Sequence, residues 1–545
     1  MRSLAGSLSR ATALGMLALS ALLMVAGPGA SGATHVGTTS GGGSSWTVYH
    51  GDAAGSGVSN SASAVATSAP AWTSPALDGE LYGEPLVSGG DVYVATEDDT
   101  VYALSSATGA VVWSTHVASP VPSAMLPCGD ISPSVGITGT PVIDPSRNEI
   151  FVVADELVNG GPAHKLIGLS TTSGAIKLDE DVDPPGADPA ALLQRTGLTL
   201  DAGQVVFGLG GNDGDCATYK GRVVAVDEAG GSPTYFTVDG AAGDSQGAIW
   251  MGGAAPAVDG NGDIWVAVGN GSVYSASQPY DDSDSALELS SSLQLLQYFA
   301  PTTWPQNNAR DLDMSMAPAL LSDGQVVLAG KSRIVYLLDG SHLGGIGGQE
   351  ASLDAACSED IDGGSAVVGT TVYLPCPSGT VAVTVTASPA SLTVLWTSRV
   401  GGGPPIVAAG LVWTIGQDGT LYGLDPSTGT VRQQGSIGVP ANHFPTPSIG
   451  DGFLLAPSSN RVVAFAATPT TSTPTTTTPT SSTTTSSTTS TTTTVPRSNA
   501  AGASGSSSGG GTSPGEIAGI VAAGVLVLGG AGWVLLRRRR RGAGP

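Results

Sequence analysis

The stretch that decides the fold occurs twice in this chain. GEPLVSGGDVYVATEDDTVYALSSATG, from Gly83 to Gly109, aligns without a gap to GPPIVAAGLVWTIGQDGTLYGLDPSTG, from Gly403 to Gly429. Each copy holds three short runs rich in β-branched and aromatic residues, separated by turns that contain Gly, Asp or Ser. A fourth run follows, such as Val112-Trp113-Ser114 in the first copy. Each copy therefore predicts four strands joined by hairpins.

Looser copies of the same unit fill the rest of the region between Trp72 and Ala467. They open at Gly139, Thr196, Ala254, Met316, Gly363 and Pro445. Together with the aligned pair they make eight repeats at a spacing of about fifty residues. A single twisted four-stranded sheet cannot bury both of its faces, so such repeats stack radially. The sequence predicts an all-β, eight-bladed β-propeller.

The two ends of the repeat region complement each other. The last copy ends at Ala467 after three strands, while Ala71-Trp72-Thr73-Ser74 resembles the fourth strand Leu395-Trp396-Thr397-Ser398 of the sixth copy. We expect this N-terminal strand to complete the last blade, because closing the ring removes an exposed sheet edge. The predicted propeller spans residues 70–467 and follows a flexible segment, residues 34–69.

Export signals flank this region. Residues 1–33 combine Arg2 and Arg10 with an apolar run and small residues up to Ala33, which predicts a cleaved signal peptide. Residues 516–536 are long and apolar enough to cross a bilayer, and a basic tail, residues 537–545, follows them. A cell-wall sorting signal has the same span and basic end, but no LPxTG motif precedes this one. A single-pass cell-membrane protein with an extracellular ectodomain and a short cytoplasmic tail is favoured.

A stalk is predicted between the propeller and the membrane. Residues 468–515 are first rich in Thr, Ser and Pro and then in Gly and Ser. Such a composition cannot bury a core, so we expect an extended, disordered linker, whose Thr and Ser hydroxyls are candidate sites for O-glycosylation.

Charge and cysteine content restrict the partners. The chain has 44 acidic and 20 basic residues, a formal charge of −24, which argues against nucleic acid as a partner. Four cysteines in an exported chain predict two disulfides, for which three pairings exist. Cys128–Cys216 with Cys357–Cys376 is the favoured pairing, because the second pair flanks one short β segment.

The repeat endings carry a family resemblance. ALSSATG followed by Trp113, and GLDPSTG at Gly423–Gly429, resemble the pyrroloquinoline quinone (PQQ) repeat of the quinoprotein alcohol dehydrogenase superfamily. In that family the repeat Trp docks against the turn of another repeat. The resemblance covers residues 70–467 and implies the propeller fold, whereas a fold alone does not fix an activity.

The resemblance also implies site residues. AIWMGGAAPAVDGNGDIWVAVGNGS is similar to the family segment that places a Trp beneath the cofactor and an Asn on Ca²⁺, here Trp250 and Asn270. RDLDM and AGK resemble the segments that carry the catalytic Asp and the cation beside the quinone, here Asp313 and Lys331. A carboxylate base, a cation and Ca²⁺ are the groups that alcohol oxidation by a quinone requires.

Three further positions complete the implied site. Arg195 and Thr196, at the entrance of the third blade, are expected to meet cofactor carboxylates. The acidic Ca²⁺ ligand of the family is replaced by Asp215, because no Glu aligns there. The vicinal disulfide of many family enzymes is absent from the sequence.

Each of these residues also has a purely structural interpretation. Trp250 can fill the propeller axis, and Asn270 between two glycines suits a turn with positive φ. Asp313 can be a solvated loop carboxylate, and Lys331 a solubilising residue of a hairpin. Asp259-Gly260-Asn261-Gly262-Asp263 is better interpreted as a hairpin tip than as a calcium loop, since Glu is missing at the twelfth position.

Two functions are therefore carried forward. The first is a membrane-anchored extracellular propeller with a monomeric ectodomain, which serves as a binding or scaffold module for an extracellular protein or a small ligand. The alternative is a PQQ- and Ca²⁺-dependent dehydrogenase that oxidises an alcohol. It would need a separate electron acceptor, because the sequence contains no CxxCH haem-attachment motif.

Overall fold

The computed structural model describes residues 44–238, 243–440 and 443–470. Within them the chain forms eight sheets of four or five strands that follow one another in sequence, each built on strands in consecutive antiparallel order, and one two-stranded sheet. The predicted all-β, eight-bladed propeller is confirmed. The predicted signal peptide, the membrane span, the basic tail and nearly all of the stalk lie outside the described residues.

The first four blades follow the predicted repeat openings. The strands of blade 1 are Leu86–Ser88, Asp91–Ala95, Thr100–Ser105 and Val111–His116. Those of blade 2 are Val142–Asp144, Glu149–Val158, Gly161–Ser170 and Ile176–Asp181. Those of blade 3 are Thr199–Asp201, Gln204–Gly211, Arg222–Asp227 and Thr234–Thr237. Those of blade 4 are Ala257–Val258, Ile264–Val268, Ser285–Leu289 and Leu295–Ala300.

The second half continues in the same way. Blade 5 contains Ala319–Leu320, Gln325–Leu328, Val335–Asp339 and Ala351–Leu353. Blade 6 contains Ala366–Val368, Thr371–Leu374, Val381–Ala387 and Ala390–Thr397. Blade 7 contains Ile406–Ala408, Leu411–Ile415, Thr420–Leu424 and Val431–Ser436. Blade 8 contains Ser448–Gly450, Phe453–Ser458 and Arg461–Pro469.

Shorter elements decorate this ring. Additional strands are Val58–Ser59, Ala62–Val65, Trp72–Thr73, Val121–Pro122, Ser134–Val135, Leu192–Leu193 and Gly345–Ile346. The helical elements are the 3₁₀ turns Tyr49–Gly51, Ser123–Met125, Pro189–Ala191 and Met251–Gly253 and the α-helix Trp304–Asn308. Among the described residues, no helix has the length and apolar character to cross a membrane.

Blade 8 is completed from the N-terminus, as predicted. Trp72 pairs with Ala464 in the last strand, antiparallel to it. The strand Ala62–Val65 pairs with the end of the same strand, near Ala467. The two ends of the propeller are thus joined by backbone hydrogen bonds, and the ring closes.

Tryptophans lock neighbouring blades together. Trp113 Nε1, from blade 1, donates 2.8 Å to the carbonyl of Thr171 in the turn of blade 2. A Cβ at Gly174 of that turn would lie 2.5 Å from the Trp113 ring, so the ring needs a glycine beneath it. Trp72 and Trp396 make the same contacts with the turns of blades 1 and 7. The Trp docking implied by the repeat resemblance is therefore present.

The N-terminal segment runs across the inner strands of the ring. Trp46 forms a β-bridge with Val87 of blade 1, and the carbonyl of Thr47 accepts a hydrogen bond from blade 2. The carbonyls of Ala53, Ser56 and Gly57 accept from blades 4, 6 and 7. Residues 44–59 thus form an N-terminal plug. The sequence predicted a flexible segment here; in the structure, carbonyls of residues 44–59 pair with amides of the inner strands.

The disulfides join Cys128 to Cys216 and Cys357 to Cys376, with Cα atoms 5.9 and 5.7 Å apart. This is the pairing favoured from the sequence. The first disulfide ties the connection between blades 1 and 2 to the loop that follows the second strand of blade 3.

Candidate functional site

A cavity of about 820 Å³ lies where the loops that enter the first strands converge. Its lining comes from the loops before the first strands of all eight blades and from loops that follow second strands. These residues include Tyr82, Arg195, Trp250, Asp313, Asp362, Gly403 and Phe444. Such a convergence places the cavity on the propeller axis. We call it the axial cavity.

One side of the axial cavity is acidic and carries one lysine. Lys331 Nζ lies 2.6 Å from Asp313 Oδ2 and 3.4 Å from Asp311 Oδ1. The ammonium group also lies over the ring of Trp250, 5.4 Å from its centroid. The structure therefore brings together Trp250, Asp313 and Lys331, three of the residues that the family resemblance implied.

Asn270 joins this group. Its backbone N–H donates 2.7 Å to Asp313 Oδ1, and the side chain is 6% exposed. The Asn270 amide group faces Asp311 Oδ1 at 3.2 Å and also Asp313 Oδ1. Either its NH₂ donates to both carboxylates, or its oxygen joins theirs around a cation.

The glycines beside Asn270 serve a close approach and not a turn of positive φ. Neither Gly269, Asn270 nor Gly271 has a positive φ. A Cβ at Gly269 would lie 2.7 Å from Asp313 Oδ1, and one at Gly271 would lie 2.3 Å from Asp281 Oδ2. The structural interpretation of Asn270 as a positive-φ turn residue is thus wrong, because the glycines make room for carboxylates.

The opposite side of the axial cavity is formed by Arg195. Its guanidinium lies between two aromatic rings, 5.5 Å from the Tyr82 centroid and 5.6 Å from the Phe444 centroid. The side chain is 7% exposed, and Nη2 donates 3.2 Å to the carbonyl of His443. Within the described residues, no carboxylate lies within salt-bridge distance of Arg195. A Cβ at Gly253 would lie 2.3 Å from Nη1, so this glycine makes room for the guanidinium.

The electrostatics follow from burial and from these neighbours. Burial and the charge of Asp313 raise the pKa of both Asp215 and Asp311. Burial alone would lower the pKa of Lys331, but the carboxylates around it, chiefly Asp313 and then Asp311 and Asp362, together raise that pKa. Burial also raises the pKa of Asp362, on the same wall, to about 6. The acidic side carries more carboxylates than its single lysine neutralises.

Asp215 lines the axial cavity, but Thr196 does not. Tyr219 donates 2.7 Å to Asp215 Oδ1 and fixes this carboxylate at the wall. Thr196 is fully buried, and its Oγ1 accepts 2.8 Å from the N–H of Gly208 inside blade 3. The structure therefore does not bring Thr196, the predicted cofactor contact, to the cavity wall, because its hydroxyl is used by the backbone of its own blade.

The described residues contain one group of three acidic, His or Cys ligand atoms within 4.8 Å of one another, formed by Asp259, Asp263 and Glu288. It lies away from the axial cavity, at the hairpin between the first two strands of blade 4. Asp259 Oδ1 accepts from the N–H groups of Asn261 and Asp263 at 2.8 and 3.0 Å. This agrees with the hairpin-tip interpretation of the segment. A cation in the axial cavity would need Asn270 and oxygens of the ligand as well as carboxylates.

The cavity residues Phe444 and Asp130 had no signal in the sequence. Phe444 faces Trp250 with 5.9 Å between ring centroids, and Asp130 pairs with His443 at 2.9 Å. Asp130 lies on the blade 1–2 connection and His443 on the blade 7–8 connection, so the pair joins two loops that are far apart in the sequence. Only the order of the blades around the ring, and not any local motif, could have predicted this contact.

Comparison with known proteins then identifies the family. The family model described as "Outer membrane protein assembly factor BamB" matches residues 55–339 of the chain. The chain belongs to this PQQ-repeat family. The match begins in the N-terminal plug and extends through the third strand of blade 5. A comparison with curated proteins found no match.

Solved structures share the fold of this BamB-type propeller. Quinohemoprotein alcohol dehydrogenases from Pseudomonas putida and Comamonas testosteroni have TM-scores of 0.58 and 0.57 at 14% identity, over 79% of this chain and 81% and 82% of theirs. A europium-containing methanol dehydrogenase has a TM-score of 0.54 at 15% identity, over 76% of this chain and 89% of its own. At these identities the likeness is one of fold alone.

Proposed function

We propose that the protein is a ligand-binding propeller of the cell surface, and that its axial cavity binds a small planar molecule that carries a carboxylate. The observation that carries the proposal is Arg195, a buried guanidinium without a carboxylate partner among the described residues. Glu97 and Asp130 act on this guanidinium only from beyond salt-bridge distance, so its burial remains costly. A ligand carboxylate would pair with this guanidinium in bidentate geometry.

The shape and lining of the cavity support a planar ligand. The volume of about 820 Å³ is within the range of small-molecule sites. Trp250 and Phe444 lie side by side between the Arg195 end and the Lys331 end. A flat aromatic molecule would stack on one of these rings, which are tilted by 48° to each other, and would reach both ends.

A PQQ-dependent dehydrogenase is the second candidate, favoured by the convergence of Trp250, Asn270, Asp313 and Lys331. These residues fit the cofactor. Trp250 would stack on PQQ, and Arg195 would bind one of its carboxylates. Asn270 Oδ1, turned towards Asp311 and Asp313, would hold Ca²⁺ together with these carboxylates.

The residues of the chain would then divide the work. Bound PQQ would supply the acceptor for the hydride of an alcohol. Asp313 would accept the proton of the substrate hydroxyl, for which it is placed at the cavity wall. Lys331, beside Asp313, would stabilise negative charge that develops on an adjacent oxygen.

Binding can be tested on the purified full-length protein. PQQ is titrated with and without Ca²⁺, and quenching of tryptophan fluorescence is followed together with the absorbance of the cofactor. We expect saturable one-to-one binding that Trp250→Leu and Arg195→Met weaken. Lys177→Met is the matched control, because Lys177 is exposed on the outer strand of blade 2. Binding that the two cavity variants leave unchanged would reject the site.

Turnover separates the two candidates. With PQQ, Ca²⁺ and an artificial electron acceptor, a dehydrogenase oxidises a primary alcohol, and Asp313→Asn abolishes the reaction while PQQ still binds. The control Asp354→Asn changes an exposed carboxylate of blade 5 and should keep full activity. Binding without turnover in the unmodified protein would leave the binding module as the function.

Membrane anchoring is part of the same proposal and rests on the sequence alone. Deleting residues 516–536 should move the protein from the membrane fraction to the medium. Retention of the deleted form in the membrane fraction would contradict the anchor.

A further inference from the structure

Three buried carboxylates surround Gly136 between blades 1 and 2. We call Glu97, Asp99 and Asp155 the junction carboxylates; their exposures are 4%, 0% and 5%. Glu97 Oε2 accepts a hydrogen bond of 2.8 Å from the N–H of Gly136. The N–H of Asp155 donates a hydrogen bond of 3.2 Å to the carbonyl of Gly136. A Cβ at Gly136 would lie 2.8 Å from Asp99 Oδ1. All three residues therefore lie around the same glycine.

The junction carboxylates are short of partners. Both oxygens of Asp99 and Oε1 of Glu97 lack a hydrogen-bond partner among the described residues. The neighbouring cations are His164, whose Nε2 lies 3.0 Å from Asp155 Oδ1, and Arg195, which acts on Glu97. His164 Nδ1 is in turn 2.7 Å from Asp183 Oδ1.

Further acidic groups face the junction carboxylates from the surrounding elements, namely Asp98, Glu156 and Asp183. The negative charges thus outnumber the two cations. Ionised carboxylates at this place would be both desolvated and mutually repelled.

The geometry favours protons over a metal ion as the positive charge that compensates the junction carboxylates. The junction carboxylates do not bring three ligand atoms within 4.8 Å of one another, which a metal ion bound by all three would require. Burial raises the pKa of Asp155 to about 7, that of Glu97 to about 8 and that of Asp99 to about 9. Neutral carboxyl groups avoid the cost of buried charge.

Gly136 ends a segment that reaches the axial cavity. Residues 117–136, here called the strap, begin where the N–H of Val117 donates 2.8 Å to the carbonyl of Asp99. The strap carries Asp130 and Ile131, which line the axial cavity. Cys128 of the strap is joined to Cys216, next to the cavity residue Asp215. A displacement of the strap would therefore move one wall of the cavity.

We propose that the junction carboxylates are a proton-operated switch that holds the strap when protonated and releases it when ionised. Below neutral pH the neutral carboxyl groups keep Gly136 in contact with blades 1 and 2. In alkaline solution their mutual repulsion pushes Glu97 and Asp99 of blade 1 away from Asp155 of blade 2, which breaks the contacts of the two blades with Gly136 and releases the strap. The consequence of the switch for ligand access rests on the proposed function of the axial cavity. The pH-dependent release of the strap does not rest on it.

The switch is tested without ligand, so that its failure is distinct from a failure of ligand binding. Hydrogen exchange of the full-length protein is measured between pH 5 and pH 9 and expressed as protection factors, which removes the intrinsic pH dependence of exchange. We expect the protection of residues 117–136 to fall about tenfold or more between pH 6 and pH 9. The strands of blade 6 serve as the internal reference and should change little.

Variants identify the groups. Asp99→Asn and Glu97→Gln, made singly and together, cannot ionise at these positions and should keep the strap protected at pH 9. Asp354→Asn should behave like the unmodified protein. An unchanged strap in the unmodified protein, or variants that lose protection like it, would overturn the switch. Restoration of protection at pH 9 by added Ca²⁺ would also overturn it, in favour of a cation site.

Discussion

Lys331 Nζ lies 2.6 Å from Asp313 Oδ2, and the N–H of Lys331 donates 2.9 Å to the carbonyl of Asp313. Asp313 precedes the first strand of blade 5, and Lys331 follows the second. The pair is therefore positioned by backbone and side chain together. The ion pair links the entry loop of blade 5 to the Trp250 side chain in the wall of the axial cavity, because Lys331 also contacts Trp250.

Breaking this ion pair should destabilise the protein. Lys331→Met leaves Asp313, which is 4% exposed, with less compensation, and we expect a loss of about 2 kcal/mol in the free energy of unfolding. In the double variant with Asp313→Asn the loss should be smaller than the sum of the single losses. Urea unfolding measures both, with Lys177→Met as the control. Strictly additive losses would mean that the pair contributes nothing.

Replacement of Arg195 should weaken ligand binding without destabilising the protein. Because its guanidinium is buried without a carboxylate partner, Arg195→Met should leave the unfolding free energy unchanged or raise it. The same variant should weaken binding of a carboxylate-bearing ligand by about 10- to 100-fold. Thermal unfolding and ligand titration of one preparation measure both effects. A strongly destabilised variant would assign Arg195 a structural role.

The Trp113 docking contact can be tested from the glycine side. Gly174→Ala places a Cβ 2.5 Å from the Trp113 ring at φ +68°, so we expect a loss of about 3 kcal/mol. Gly160→Ala is the matched control, since Gly160 has φ +86° and nothing within 4 Å of the added Cβ. It should cost about 1 kcal/mol. Equal losses at the two positions, measured by urea unfolding, would show that the docking contact does not stabilise the protein.

The N-terminal plug should stabilise the whole ring. Deleting the plug, residues 44–59, removes backbone hydrogen bonds to the inner strands of several blades, together with the buried Trp46. We expect a lower melting temperature in calorimetry and faster proteolysis. Deleting an equal length of the predicted stalk is the control. A melting temperature unaffected by the plug deletion would contradict this role.

Global stability should be highest in mildly acidic solution. The folded-state pKa values of Asp155, Glu97 and Asp99, about 7, 8 and 9, lie above their ordinary values. Groups with raised pKa values contribute full stability below their ordinary pKa of about 4, and this contribution is lost as the pH rises through the folded values. The unfolding free energy should thus fall towards pH 9. An unfolding free energy that stays constant or rises towards pH 9 would contradict the raised pKa values of these carboxyl groups.

The sequence predicted the repeat, the ring closure by Trp72 and the disulfides, because each rests on local periodicity or on matching chain ends. It predicted the group around Trp250, Asn270, Asp313 and Lys331 only through family resemblance. The N-terminal plug was missed because its contacts use backbone carbonyls, which carry no side-chain pattern. Phe444 and the junction carboxylates were missed because they depend on which loops meet across the ring.

The central claim is that the axial cavity binds a planar, carboxylate-bearing ligand, with PQQ as the test molecule. A crystal structure of the protein grown with PQQ and Ca²⁺ tests it most directly. We expect flat electron density stacked on Trp250, a carboxylate at Arg195 and a cation beside Asn270. An empty axial cavity at saturating PQQ, or PQQ bound elsewhere, would contradict it.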